Sequence, residues 1–280
     1  MKEFQNKVAV ITGGASGLGL EIARLAANKG MKLVLSDIEE SALKNAEREF
    51  AERGVEVLAV RSNVALAEDV ERLAEQTIAR FGAVHLLFNN AGVALSKTTW
   101  ETTIADWEWV LGVDLWSVIH GIRVFTPIML KQNTHCHIIN TASVAGMLST
   151  PGMAAYNVAK HGVVTLSETL YHDLKRRGAN IDVSVLCPAW VKTGIMDSER
   201  NRPGDLQNTD DQKSADDRKL EEAARHAAQA GKVTAPMVAE IVFAAIEENK
   251  FYILTHPKIK KWIGLRVEDI LQDRQPSPQV

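Results

Sequence analysis

Near its start the chain carries Thr12-Gly-Gly-Ala-Ser-Gly-Leu-Gly19, a glycine-rich turn between a short apolar run and a helical pattern. The run is Val8-Ala-Val-Ile11, and after the turn Leu18, Ile22, Leu25 and Ala26 recur at helical spacing. Glycine allows a tight turn and lets backbone N–H groups come close to a pyrophosphate. The N-terminus of the following helix adds a partial positive charge aimed at that anion. A glycine turn alone is a weak signal; strand, turn, helix and a further strand together point to a dinucleotide site.

The alternation continues. Strands are expected at 33–35, 55–60, 85–88, 138–140, 183–186 and 251–255, with helices over 41–52, 67–81 and 236–248. Apolar strands separated by helices require a parallel sheet covered on both faces, and right-handed crossovers make it doubly wound. The expected fold class is therefore α/β, as one domain spanning residues 1–280. A polar, charged stretch at about 194–232 reads as a lid-like insertion or a solvated helix, and a C-terminal tail is expected from about 257.

Composition narrows the partners. Lys plus Arg is 32 against 35 Asp plus Glu, so no basic excess invites nucleic acid. No unbroken apolar run of ~18 residues stands out, so no membrane partner is expected. The first residues are too polar for a signal peptide, and two cysteines, Cys136 and Cys187, make no disulfide framework. A cytoplasmic location is the expectation.

Asp37 ends the second strand, where an acidic residue takes the adenosine ribose hydroxyls. No Arg or Lys stands at positions 36–40 to receive a 2′-phosphate, so the expected cofactor is NAD. Asp also favours helix N-caps, and the two roles are compatible. Further on, Ser143 follows a strand, and Tyr156-Asn-Val-Ala-Lys160 opens a long amphipathic stretch. On a helix Tyr156 and Lys160 share a face. An ordinary phenol, with a pKa of ~10, is a poor base near neutrality. A neighbouring ammonium and the positive ring of oxidised nicotinamide both favour phenolate. Tyr156 could then take a proton from an alcohol while Ser143 holds the oxygen.

With these residues in order, the chain resembles the short-chain dehydrogenase/reductase family, through Thr12-Gly-x-x-x-Gly-x-Gly19, Asn89-Asn-Ala-Gly92, Ser143 and Tyr156-x-x-x-Lys160. The resemblance implies a Rossmann-type sheet. It also implies cofactor contacts at Gly13, Ser16, Gly17, Leu18, Gly19, Asp37, Asn63, Val64, Asn90, Ala91, Gly92, Tyr156, Lys160, Pro188, Val191 and Thr193. Asn63 stands where the family has Asp, and Ala189 where it has Gly. Asp114 occupies the position of a catalytic Asn that helps hold a water next to the lysine. A carboxylate there adds negative charge near Lys160 and opposes its pull on Tyr156. The family's usual assembly implies a homodimer or homotetramer through helices at 103–131 and 156–176.

A narrower resemblance, through Ser198-Glu-Arg-Asn-Arg-Pro203 and Phe251-Tyr-Ile-Leu-Thr-His-Pro257, is to a bacterial subgroup containing dehydrogenases of lignin-derived aryl ethers. Pocket walls are expected from Val93, Leu95, Met147, Leu148, Met153, Trp190, Ile195 and Met196. These side chains suit a small apolar alcohol or ketone, aromatic or alicyclic, rather than a sugar. Each has a competing reading as core. Tyr156, Lys160, Ser143 and Asp114 are the catalytic candidates, and no metal is required. Two alternatives stand: a non-catalytic NAD-binding sensor or scaffold, kept open by Asp114, and a ketoacyl-thioester reductase, disfavoured by Asp37.

Overall fold

The computed structural model describes residues 1–208 and 214–278. Seven parallel strands form one sheet: β1 (Val8–Thr12), β2 (Lys32–Asp37), β3 (Val57–Arg61), β4 (Leu86–Asn89), β5 (Cys136–Thr141), β6 (Ile181–Cys187) and β7 (Tyr252–Leu254). Their spatial order is β3-β2-β1-β4-β5-β6-β7, so the winding reverses between β1 and β4. A crevice opens at the carboxyl ends of the strands where an open sheet reverses in this way.

Both faces of the sheet are buried, which explains why the strands read as apolar runs rather than alternating ones. Ala9 and Ile11 of β1 face the core beneath α1 (Gly17–Asn28), α2 (Glu40–Glu52) and α8 (Ala235–Glu247). Val8 and Val10 face the core beneath α3 (Ala67–Phe81), α5 (Ser117–Gln132) and α6 (Ala154–Arg177). A buried polar ladder then fixes α6 to the sheet. Asn89 donates to Asn140 (2.8 Å), Asn140 donates to Ser167 (2.9 Å), and Ser167 donates to the Val163 carbonyl (2.7 Å).

The helix expected over 103–131 is not continuous. α4 (Ile104–Leu111) starts with a reciprocal cap between Thr103 and Asp106, and a π-helical turn, Gly112–Trp116, separates it from α5. Such a turn carries an extra residue and commonly marks a functional site; here it holds Asp114 fully buried. Ile104–Gln132 is long and apolar enough to cross a bilayer, although polar residues such as Asp106, Glu108 and Asp114 interrupt its apolar run. It packs instead against α3, β4 and α6.

Within the polar stretch expected at about 194–232, residues 215–230 form a helix, α7 (Ala215–Ala230); positions 209–213 lie outside the described residues. Beyond β7, where a C-terminal tail is expected from about 257, lies a helix, α9 (Ile259–Leu271).

Candidate active site

The crevice at the strand ends encloses about 500 Å³. One wall is the glycine turn with Gly13, Ser16, Gly17 and Leu18. Asp37, Asn63 and Val64 line one end, and Asn90, Ala91, Gly92, Tyr156, Lys160, Pro188 and Thr193 line the floor and the other end. Thr12 ties the turn to the floor: its Oγ1 accepts from the Asn90 and Ala91 amides (2.9 and 3.1 Å), and Asn90 Nδ2 donates to the Thr12 carbonyl (3.0 Å).

Steric tests show why the turn is glycine. At Gly13, where φ is +62°, a Cβ would lie 2.9 Å from Ala91 Cα; at Gly19 it would collide with the Gly13 carbonyl oxygen. Gly19 therefore packs behind the turn rather than lining the crevice. Bare backbone facing a cleft at a helix N-terminus fits a dinucleotide pyrophosphate. Asp37 is buried, and its carboxylate accepts from the Ala15 and Glu39 amides, both at 3.1 Å. Burial raises its pKa, with the amides opposing. The N-cap of α2 is Glu39, not Asp37.

Across the crevice, α6 places Tyr156 and Lys160 one turn apart. Lys160 Nζ lies 5.4 Å from the Tyr156 ring centroid and donates to the Thr141 carbonyl at 3.2 Å. Ser143, just past β5, accepts from the Ala145 amide (3.2 Å) and donates to the Pro188 carbonyl (3.3 Å). Asp114 Oδ1 accepts from the Val93 amide at 2.8 Å, while Oδ2, buried and without a hydrogen-bond partner, lies 3.9 Å from Lys160 Nζ. Burial pushes the Asp114 pKa up to about 6 against the pull of Lys160.

Tyr156 departs from the sequence expectation. Its own surroundings raise the phenol pKa instead of lowering it: burial acts most, the Asp114 carboxylate adds to it, and a Ser143 hydrogen bond opposes. Burial of the phenol is the main reason, since it penalises phenolate. The Asp114 carboxylate, 3.9 Å from Lys160 Nζ, adds to it as the sequence leads one to expect.

Residues 7–204 match the family model described as short chain dehydrogenase. The chain belongs to the short chain dehydrogenase family. It is 39% identical to a "CLA biosynthesis dehydrogenase/reductase" of Lactiplantibacillus plantarum, covering 100% of this chain and 98% of that protein. It is 30% identical to a "C alpha-dehydrogenase" of Sphingobium sp., covering 99% and 89%. The crystal structure of a short chain dehydrogenase/reductase from Burkholderia phymatum in complex with NAD is 48% identical, covers 100% of this chain and 99% of that one, and superposes with a TM-score of 0.98.

Against this short chain dehydrogenase frame the expected pocket walls divide. Val93 and Ile195 line the crevice. Leu95, Met153 and Trp190 pack behind it, in a cluster with Trp109 and Tyr156. Met147 packs against Val118, Ala142 and Val163; Leu148 is buried; Met196 is half-buried. None of these six lines the crevice. Val191 sits in the core beside Leu186 and Val238.

Sequence reasoning missed Glu108, Trp109, Ser198, Asp205 and Leu206, all of which line the crevice. It also missed a buried ion cluster. Asp106 holds Arg202 at 2.7 Å and Lys97 at 3.2 Å, and Arg202 lies 5.0 Å from the Trp109 ring centroid. These residues are far apart in the chain, so no spacing rule could have joined them.

Proposed function

We propose that this chain is an NAD-dependent dehydrogenase interconverting an apolar secondary alcohol and its ketone. One observation carries the reading: a single crevice joins the glycine turn and Asp37 at one end to Tyr156 and Lys160 at the other, with Ser143 adjoining. The relatives' names support oxidoreductase chemistry, and the related structure in complex with NAD supports the cofactor.

Gly13, Ser16 and Gly17 would hold the pyrophosphate, Asp37 the adenosine ribose, and Asn90, Lys160 and Thr193 the nicotinamide half. NAD⁺ supplies the hydride acceptor and a positively charged ring. Ser143 holds the substrate oxygen, and Tyr156 takes its proton during oxidation or returns it during reduction. Lys160, buried and anchored on the Thr141 carbonyl, keeps a cation under the phenol. The protein's own groups raise the Tyr156 pKa, so bound NAD⁺ would supply the positive charge that favours phenolate there. Val93, Trp109, Ile195 and Leu206 form an apolar wall for the substrate, edged by Glu108 and Asp205. Assembly as a homodimer or homotetramer would cover Trp116 and Val158, both about half exposed.

The test is NADH formation from a panel of apolar secondary alcohols with NAD⁺. Tyr156→Phe should lower turnover by at least about 10²- to 10⁴-fold, the usual worth of a positioned acid/base. NAD⁺ binding by that variant should stay near the parent's. Binding without turnover on any substrate would mark a non-catalytic NAD-binding protein instead.

A further inference from the structure

From Gly194 to Leu206 the chain makes two tight turns, Gly194–Asn201 and Gly204–Leu206, that form a strap along one side of the crevice. The strap is tied at both ends and in the middle. Ser198 Oγ accepts from the Ala94 amide at 3.0 Å. Arg202, almost wholly buried, pairs with Asp106 at the substrate end. At the other end Arg200 Nη2 donates to Glu39 Oε1 at 2.5 Å, and Asn201 Nδ2 donates to the same oxygen at 2.8 Å.

Glu39 lies two positions past Asp37 and lines the same end of the crevice, as do Arg200 and Asn201. The two donors hold the Glu39 carboxyl below the usual carboxylate range, so the contact is a charge-assisted one at neutral pH. Arg200 is also steadied by its own turn, donating to the Asp197 carbonyl at 2.7 Å. The strap thus brings a guanidinium to the Asp37 end of the crevice from a point remote in sequence. Arg61, the register partner of Asp37 on β3, donates through Nε to the Ile38 carbonyl at 3.3 Å.

A 2′-phosphate is best held by a guanidinium free to bind it bidentately. We propose that the Glu39–Arg200–Asn201 clasp is a second determinant of dinucleotide choice, because it commits Arg200 to Glu39 and leaves the Asp37 end of the crevice carboxylate-rich. The inference rests on the dinucleotide reading above. It makes Glu39 a specificity residue in its own right, acting by withholding a cation rather than by touching the ribose.

Calorimetric dissociation constants for NAD⁺ and NADP⁺ test this without any turnover. The parent should prefer NAD⁺. Glu39→Gln should lower the ratio of the NADP⁺ to the NAD⁺ constant by about tenfold or more, the worth of one charged hydrogen bond gained. Asn201→Ala, which loosens the clasp without changing charge, should move the ratio the same way by less. Adding Arg200→Ala to Glu39→Gln should return the ratio toward the parent's. A ratio within about twofold of the parent in Glu39→Gln, or one that survives loss of Arg200, overturns the clasp while leaving the proposed function intact. A parent that binds neither dinucleotide overturns both.

Discussion

Asp114 is fully buried, one carboxylate oxygen on the Val93 amide and the other 3.9 Å from Lys160. Its pKa is raised from 3.8 to about 6, so folding favours the protonated form. The stability it contributes is complete below the unfolded value and is lost as pH rises through the folded one. A shift of about 2 units is worth about 3 kcal/mol. Asp114→Asn lacks this titration. Relative to the parent, its unfolding free energy should therefore increase by about 3 kcal/mol between pH 3 and pH 7, measured by urea unfolding at each pH. An unchanged difference across that range would show that Asp114 does not titrate there. The same substitution removes a charge that raises the Tyr156 pKa, so the acidic limb of alcohol oxidation should move to lower pH.

At the scale of elements, the strap and α4 depend on one carboxylate. Asp106 caps its own helix through the Thr103 amide (2.9 Å) and holds Lys97 and Arg202, both buried. Removing one partner of a buried ion cluster leaves charge uncompensated, at a cost of about 3–5 kcal/mol. Asp106→Ala should lose that much in urea unfolding, and adding Arg202→Met should recover part of it. A loss under about 1 kcal/mol would mean the cluster is solvated in solution. The strands were legible in the sequence as short continuous apolar runs, and α1 and α3 because their apolar residues recur at helical spacing and Gly30 and Gly82 follow them. The π-helical turn was not, since an inserted residue leaves composition untouched and only shifts phase. α9 stands where a C-terminal tail is expected, and Val267, Ile270 and Leu271 on it are exposed.

For the whole molecule, one sheet reversal places everything that matters. The glycine turn leaves β1, Asn90 to Gly92 leave β4, and Thr12 links the two loops, so residues distant in sequence share one crevice. Local motifs announced the cofactor half, where each residue type answers to backbone geometry or charge. The substrate half was less legible because Trp109, Leu206 and the strap reach it only through tertiary packing. Tyr156 is expected to become ionisable when a positive ring joins it. Ultraviolet titration of tyrosinate tests this directly, since the chain has three tyrosines and Tyr252, hydrogen-bonded to Glu168, is pushed up to about 12. With saturating NAD⁺, one phenol should ionise well below the ordinary value of ~10 and should be missing in Tyr156→Phe. If no tyrosine of the NAD⁺-loaded protein titrates below that value, the proposed acid/base role of Tyr156 is contradicted.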